Sequence, residues 1–442
     1  MHRESSYRQI LQLALPAVLE QSILFAATLV NIALAGHLGV DKLAAFGLAS
    51  QLLNMHHIVL TPVAIGGGVL VATAIGAQDE AGAHTVLGQS LCLGLAVGMA
   101  LAIIYAVFAY PAMHLIGANV DSLEPGVLVL RYMAVAFPLH GMFYVARACL
   151  RGAGDTRSPL YATCVVAVVQ VFSANALVKG LFGFPEFGIG GVALGVLAGQ
   201  VAGTALMGTG LASGRLRLSL SKVVWRMNRS ITSAILRLGS PAGGEQLSLR
   251  LGQMANMRLI ADLGTTSLAS YIVALNAIST AYVVGIGFTE AATTLAGQWV
   301  GARNHAAARS SARRVWDLSA VAMGAMGVIA VLWTRQVLGI FSDDPLVIEH
   351  AVVPLRLAAL VLPAEAANQV LGGAMRGAGD SRWPMMTTTW GNWLIRLPFT
   401  MLLARYMGLV GAWLAVVADI VLRALANTWR FRGDAWFRTR SV

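Results

Sequence analysis

The segment RGAGDTRSP, Arg151 to Pro159, returns as RGAGDSRWP, Arg376 to Pro384, with seven of nine letters unchanged and an offset of 376 − 151 = 225 residues. The same offset carries Pro16 to Pro241, Glu20-Gln21 to Glu245-Gln246, Asn31 to Asn256, and Leu38-Gly39 to Leu263-Gly264. It also carries Gly76-Ala77 to Gly301-Ala302 and Pro138 to Pro363. A register held without a gap from residue 16 to residue 159 is no local coincidence: the chain is two copies of one unit, and any fold must satisfy both.

Each copy reads as six apolar runs. They lie near 9–35, 43–75, 86–111, 127–150, 159–181 and 189–212, then near 237–261, 268–299, 315–340, 347–374, 384–405 and 409–429. A bilayer-spanning helix needs about 20 such residues. Only 12% of the 442 residues are charged, about half the share of a soluble chain, and 57% are hydrophobic. The first run stays as a span, because it is too long for a cleaved leader. The expected fold is an all-α polytopic membrane protein with twelve transmembrane helices in two parallel six-helix repeats. An even number of crossings returns the chain to its starting side, so the repeats relate by an axis along the membrane normal and a substrate path is expected between them. The expected domains are an N-lobe at 1–212, a basic cytoplasmic linker at 213–230 and a C-lobe at 231–442.

The net charge of +11 points to topology rather than to nucleic acid. About twenty Arg and Lys fall on one side of this layout, among them Arg3, Arg8, Arg151, Arg157, Lys222, Arg226, Arg303, Arg309, Arg376, Arg430, Arg438 and Arg440. Lys42, Lys179, Arg335 and Arg405 fall opposite, which places both termini in the cytoplasm. Cys92, Cys149 and Cys164 are odd in number and lie in or near spans, where they act as small apolar residues. No metal-ligand spacing and no catalytic motif appears, so the chain is not expected to be an enzyme, to bind a metal or to need a cofactor.

In the duplicated motif, Gly152 and Gly154, with Gly377 and Gly379, are expected to permit positive φ in a tight reversal. Pro159 and Pro384 suit the first turn of the next helix, Asp155 suits its positive end, and the arginines are expected to hold the loop in the cytosol. Charged groups at bilayer depth cost roughly 2.5–3.5 kcal/mol each on insertion scales, so each needs a reason. Glu20 is placed ~16 Å into the first helix, near the midplane, with Glu245 as its mate and Asn31 and Asn256 on the same stripes. Their role is open between a structural carboxyl and a coupling one. Glu365 answers to His140, and Glu290 to Ile65, so these two carboxyls break the repeat and read as functional. Asp419 and Arg423, four apart, can neutralise one another, and Arg250 and Arg258 can do so for Glu245 or Asp262.

Together, LALPAVLEQ opening the first helix, AGHLG closing it, VALNAIS and AATTLAGQWVGA in the eighth, and the duplicated RGAGD resemble the multidrug and toxic compound extrusion (MATE) family. The LPAVLEQ opening leans toward its DinF-like branch. The resemblance spans nearly the whole chain and implies two six-helix bundles flanking a central cavity. It further implies export of organic cations or other amphiphiles by alternating access, driven by inward H⁺ or Na⁺. The family's first-helix Asp falls on Asn31, which does not titrate, and its seventh-helix Glu falls on Leu249. The tenth-helix carboxylate of its NorM-like branch, eleven residues before the motif Arg, falls on Glu365. This favours H⁺ over Na⁺, carried by Glu365 with Glu20, Glu245, Glu290 or His140 assisting, and makes Asn31, Asn256, Gln21, Gln246, Asn276 and Asn368 polar cavity candidates. The expected setting is a monomer in a bacterial inner membrane, with lipid and a small-molecule substrate as partners. A lipid-linked oligosaccharide flippase and a non-transporting scaffold or sensor stand as the alternatives.

Overall fold

A computed structural model describes residues 6–220 and 228–437, and the described residues form helices and turns without a strand. Arg3, Lys222, Arg226, Arg438, Arg440 and residues 221–227 of the expected linker lie outside the described residues. In the first copy the helices are α1 (Tyr7–Gly36), α2 (Val40–Leu53), α3 (His56–Gly76), α4 (Glu80–Leu115), α5 (Val120–Gly152), α6 (Arg157–Lys179) and α7 (Ile189–Ala212). In the second they are α8 (Arg229–Ala261), α9 (Thr265–Gly301), α10 (His305–Leu332), the short α11 (Thr334–Gly339), α12 (Pro345–Leu360), α13 (Leu362–Gly377), α14 (Arg382–Trp390) and α15 (Leu397–Arg432). A π-helical turn, Gly391–Arg396, joins the last two.

Among the described residues, nine helical stretches are long and apolar enough to cross a bilayer, and the bent pair α12–α13 makes a tenth. α8 has the length, at 33 residues, but carries Arg237, Glu245, Arg250 and Arg258 within it. The stretch Arg382–Arg432 has 51 residues, roughly twice what one crossing needs. Gly408, at φ 57 and ψ −139, divides it. With α8 and that division, the twelve crossings of two six-helix repeats are all present.

The duplication reaches the helix ends. α1 and α8 stop at Gly36 and Ala261, α3 and α9 at Gly76 and Gly301, and α5 and α13 at Gly152 and Gly377, each pair 225 apart. Shared chemistry sets these ends. Asp79 accepts from the Gly82 amide at 2.8 Å, and Asn304 accepts from the Ala307 amide at 3.0 Å, so both α4 and α10 begin on a side-chain cap.

The copies differ at several places, three of which bear on the site. Helix α2 gives way to α3 at Asn54–Met55, where α9 runs unbroken. α12 and α13 meet at a 50° bend, where Pro363 removes a backbone donor, while Pro138 at the matching place stays inside a continuous α5. The π-helical turn has a regular counterpart in α6.

The chain divides into two compact units, and the seams lie inside helices rather than in the 213–230 segment. One unit is Leu19–Gly243; the other holds residues up to Val18 together with those from Gly244 onward. The two seams are themselves 225 residues apart. Ile10 and Ala14 of α1 are buried with Phe288, Ala291 and Ala292 of α9 in the second unit. Ile235 of α8 is buried with Val63, Phe143 and Leu150 in the first. Leu218, in the described part of the expected linker, is buried in that same core.

The motif glycines separate into two kinds. Gly154 and Gly379 take φ 88 and 90, the tight reversal expected. Gly152 and Gly377 are helical instead, a correction to the sequence reading, and their small size serves close packing. A Cβ on Gly152 would lie 2.2 Å from the Gly68 carbonyl oxygen, and one on Gly377 would lie 2.2 Å from that of Thr293. Positions 68 and 293 are again repeat mates. Backbone cannot retreat as a side-chain tip can, so Gly377→Ala is expected to cost about 1–3 kcal/mol of stability, read as an earlier thermal melt in detergent.

Candidate functional site

In the Leu19–Gly243 unit, Glu20 is fully buried. It accepts from Arg147 Nη1 at 2.5 Å and from Arg151 Nη1 at 3.2 Å. Both arginines lie in the last two turns of α5, toward the end that carries the RGAGD loop. Arg151 likewise turns inward rather than toward solvent, at 6% exposure. Asp155 does cap the next helix, accepting from the Ser158 amide at 3.0 Å and its hydroxyl at 2.6 Å. Gln21 is half-buried. Asn31 is buried, and its Oδ1 has no hydrogen-bond partner among the described residues.

His140 of α5 lies in a histidine cluster that the sequence did not announce. Its Nε2 is 3.0 Å from Nε2 of His56, at the start of α3. His57 and Tyr144 complete the group, with ring centroids 6.5 Å and 5.9 Å from that of His140. The cluster sits at the α2–α3 break, where His56 Nδ1 binds the Leu53 carbonyl and the Tyr105 hydroxyl donates to the Leu52 carbonyl at 2.6 Å.

In the other unit, Glu245 repeats the arrangement of Glu20. Arg376 Nη1 donates to Oε2 at 2.9 Å and the Thr388 hydroxyl to Oε1 at 3.2 Å. The neutralising partner is thus the motif arginine, not Arg250, while Arg258 pairs at the surface with Asp262 at 3.4 Å. The duplication carries this signal: an acid and an arginine were copied together, 131 residues apart in both copies. Asn256 is fully buried, donating to the Tyr271 hydroxyl at 3.0 Å and accepting from Thr400 at 2.9 Å. Gln246 is half-buried, Asn276 is exposed, and Glu290 is half-buried on α9.

Glu365 opens α13 just after the 50° bend. Its Oε2 accepts from Asn368 Nδ2 at 3.1 Å and its Oε1 from Gln369 Nε2 at 3.2 Å. No ion pair reaches it among the described residues. Asn368 is fixed in turn, donating to the Ile420 carbonyl at 3.0 Å and accepting from Asn427 at 3.1 Å. Asp419, fully buried, binds Arg423 at 2.8 Å as its i,i+4 spacing suggested. It also binds Arg396 at 2.6 Å, a partner the sequence did not indicate because the π-helical turn delivers it. Among the described residues, no group of three or more His, Cys, Asp or Glu is arranged to hold a metal ion.

The family model MatE matches residues 16–175 and again 241–402, the two matches starting 225 residues apart. The chain belongs to the MatE family. The repeat seen in the sequence is therefore the MatE repeat, and the chain is a multi-pass membrane protein of a multidrug-efflux transporter family, not of an enzyme family. A probable multidrug resistance protein NorM of Thermotoga maritima is 29% identical over 436 residues, covering 97% of this chain and 93% of that protein. A multidrug resistance protein NorM of Burkholderia vietnamiensis is 28% identical, covering 95% and 92%. A crystal structure of a MATE protein in a straight conformation superposes with a TM-score of 0.89 at 20% identity, covering 96% of this chain and 95% of that one. That likeness is to the MatE fold.

Proposed function

We propose that this MatE protein is a proton-coupled antiporter that exports organic cations or other amphiphilic small molecules by alternating access. It would work as a monomer in a bacterial inner membrane with both termini in the cytoplasm, using no cofactor beyond its coupling ion. The observation that carries the reading is the difference between Glu365 and the three acids Glu20, Glu245 and Asp419. Glu20, Glu245 and Asp419 are each held by arginine, so protonating any of them strands a buried cation. Glu365 is held only by the amides of Asn368 and Gln369 and can take up or lose a proton without breaking an ion pair. A carboxyl that binds either a proton or a cationic substrate, one excluding the other, yields exchange.

The relatives named as multidrug resistance proteins support an organic substrate. The flippase alternative asks for free cavity cations, whereas Arg396 and Arg423 are both bound to the one carboxylate of Asp419. The test is a proteoliposome assay with a fluorescent organic cation. An imposed pH gradient is expected to drive dye movement and a Na⁺ gradient at uniform pH is not. Movement driven by Na⁺ alone would overturn the proton reading, and lipid translocation without dye movement would favour the flippase.

A further inference from the structure

The repeat sets two clusters in register. His57, His140 and Tyr144 of the first copy occupy the positions of Tyr282, Glu365 and Gln369 in the second. In both, the 225-residue mates at 140 and 365 stand twelve residues before the end of their helix, at Gly152 and Gly377. In both, a helix break marks the site: α2–α3 beside His56 in one copy, α12–α13 beside Glu365 in the other. The first copy thus places an imidazole where the second places a carboxyl, and pairs it with a second imidazole.

We propose that His56 and His140 form a single proton-binding site in the Leu19–Gly243 unit, taking up one proton between them. The hydrogen bonds fix the tautomers. A carbonyl oxygen only accepts, so His56 Nδ1 carries the hydrogen that reaches the Leu53 carbonyl. Neutral His56 therefore presents a lone pair at Nε2, and the 3.0 Å contact requires His140 Nε2 to be the donor. This leaves His140 Nδ1 as the nitrogen that accepts a proton. Protonation there makes His140 an imidazolium and turns its bond to His56 into a charge-assisted N⁺–H···N bond, shorter and stronger than the neutral one. A second proton would set two N–H groups face to face across the same contact. The pair thus titrates as one unit rather than as two histidines.

The groups facing the pair come from three helices: His57 from α3, Tyr144 and Arg147 from α5, and Gln200 from α7; Tyr105 of α4 stacks on Phe137, which lies against His56. Arg147 is the permanent charge among them, and it is bound to Glu20 at 2.5 Å. His56 is 9% exposed and His140 is half-buried.

Proton binding by the pair stands on this geometry alone; its use in transport rests on the proton-coupled reading above. The experiment is ¹⁵N solid-state NMR of the full-length protein, labelled at histidine, in liposomes between pH 8 and pH 5. The wild-type protein is expected to show a coupling between two imidazole nitrogens across one N–H···N bond. One imidazolium should appear as the pH falls, with its signal lost in both His56→Gln and His140→Gln and kept in His57→Gln. His140→Glu should retain a titrating group at that position, as its repeat mate does. Absence of the internitrogen coupling in the wild type, titration of either histidine unchanged when the other is replaced, or no imidazolium from the pair by pH 5 would each overturn the site. Glu365→Gln separates the two readings: it should leave the histidine titration intact whatever it does to transport.

Discussion

Glu365→Gln is expected to stop pH-gradient-driven dye efflux in proteoliposomes, down to the level of protein-free vesicles, while the protein still folds. Glutamine matches the shape of the carboxyl but carries no proton across the relevant range. One amide oxygen still accepts from Asn368 or Gln369, and its NH₂ then faces a donor where the carboxylate offered an acceptor. The stability cost should be that of about one hydrogen bond, ~1 kcal/mol. Glu365→Asp keeps a titratable carboxyl on a shorter arm and should retain part of the gradient-driven rate. Efflux by Glu365→Gln at the wild-type rate would remove this residue from coupling.

Glu20→Gln should act on the fold instead. It removes the carboxylate to which Arg147 and Arg151, both nearly inaccessible, are bound. Breaking a buried pair by removing one partner typically costs about 3–5 kcal/mol. The corresponding change, Glu245→Gln, should cost less. Glu245 and Arg376 keep 14% side-chain exposure, and a single arginine is stranded. Because the members of each pair are in contact, removing Glu245 and Arg376 together should cost less than the sum of the two single changes. Thermal melts of the purified variants give the order directly. Equal melting for Glu20→Gln and wild type would mean that the buried network contributes nothing to holding α1 against α5.

Much of this was legible in the sequence. The 225-residue offset fixed the helix ends because the same capping and turn residues recur at both places. The number of spans followed from length and apolarity even where α8 is too polar to declare itself. Glu20 and Glu245 drew attention as membrane acids, but their partners lie 127 to 131 residues away, and only the joint copying of acid and arginine hinted at the pairing. The α2–α3 break was not legible. Neither Asn54 nor Met55 is a helix breaker, and the side chains bonded to carbonyls there include Tyr105 from another helix. His56 escaped notice for the same reason, since its contact with His140 spans 84 residues. Tertiary contact, not local propensity, decides such places.

The seams at Val18–Leu19 and Gly243–Gly244 bear on how the molecule could be taken apart. Cutting the chain within residues 213–230 would look like separating two halves but would leave each fragment holding the opening turns of a helix that belong to the other. The amino-terminal piece would carry Ile10 and Ala14 with nothing of their own core to bury them, and would lack Ile235 from the centre of its own. Neither piece expressed alone is a self-sufficient body, and a working split version requires both fragments made together, trading ends as a domain-swapped pair does.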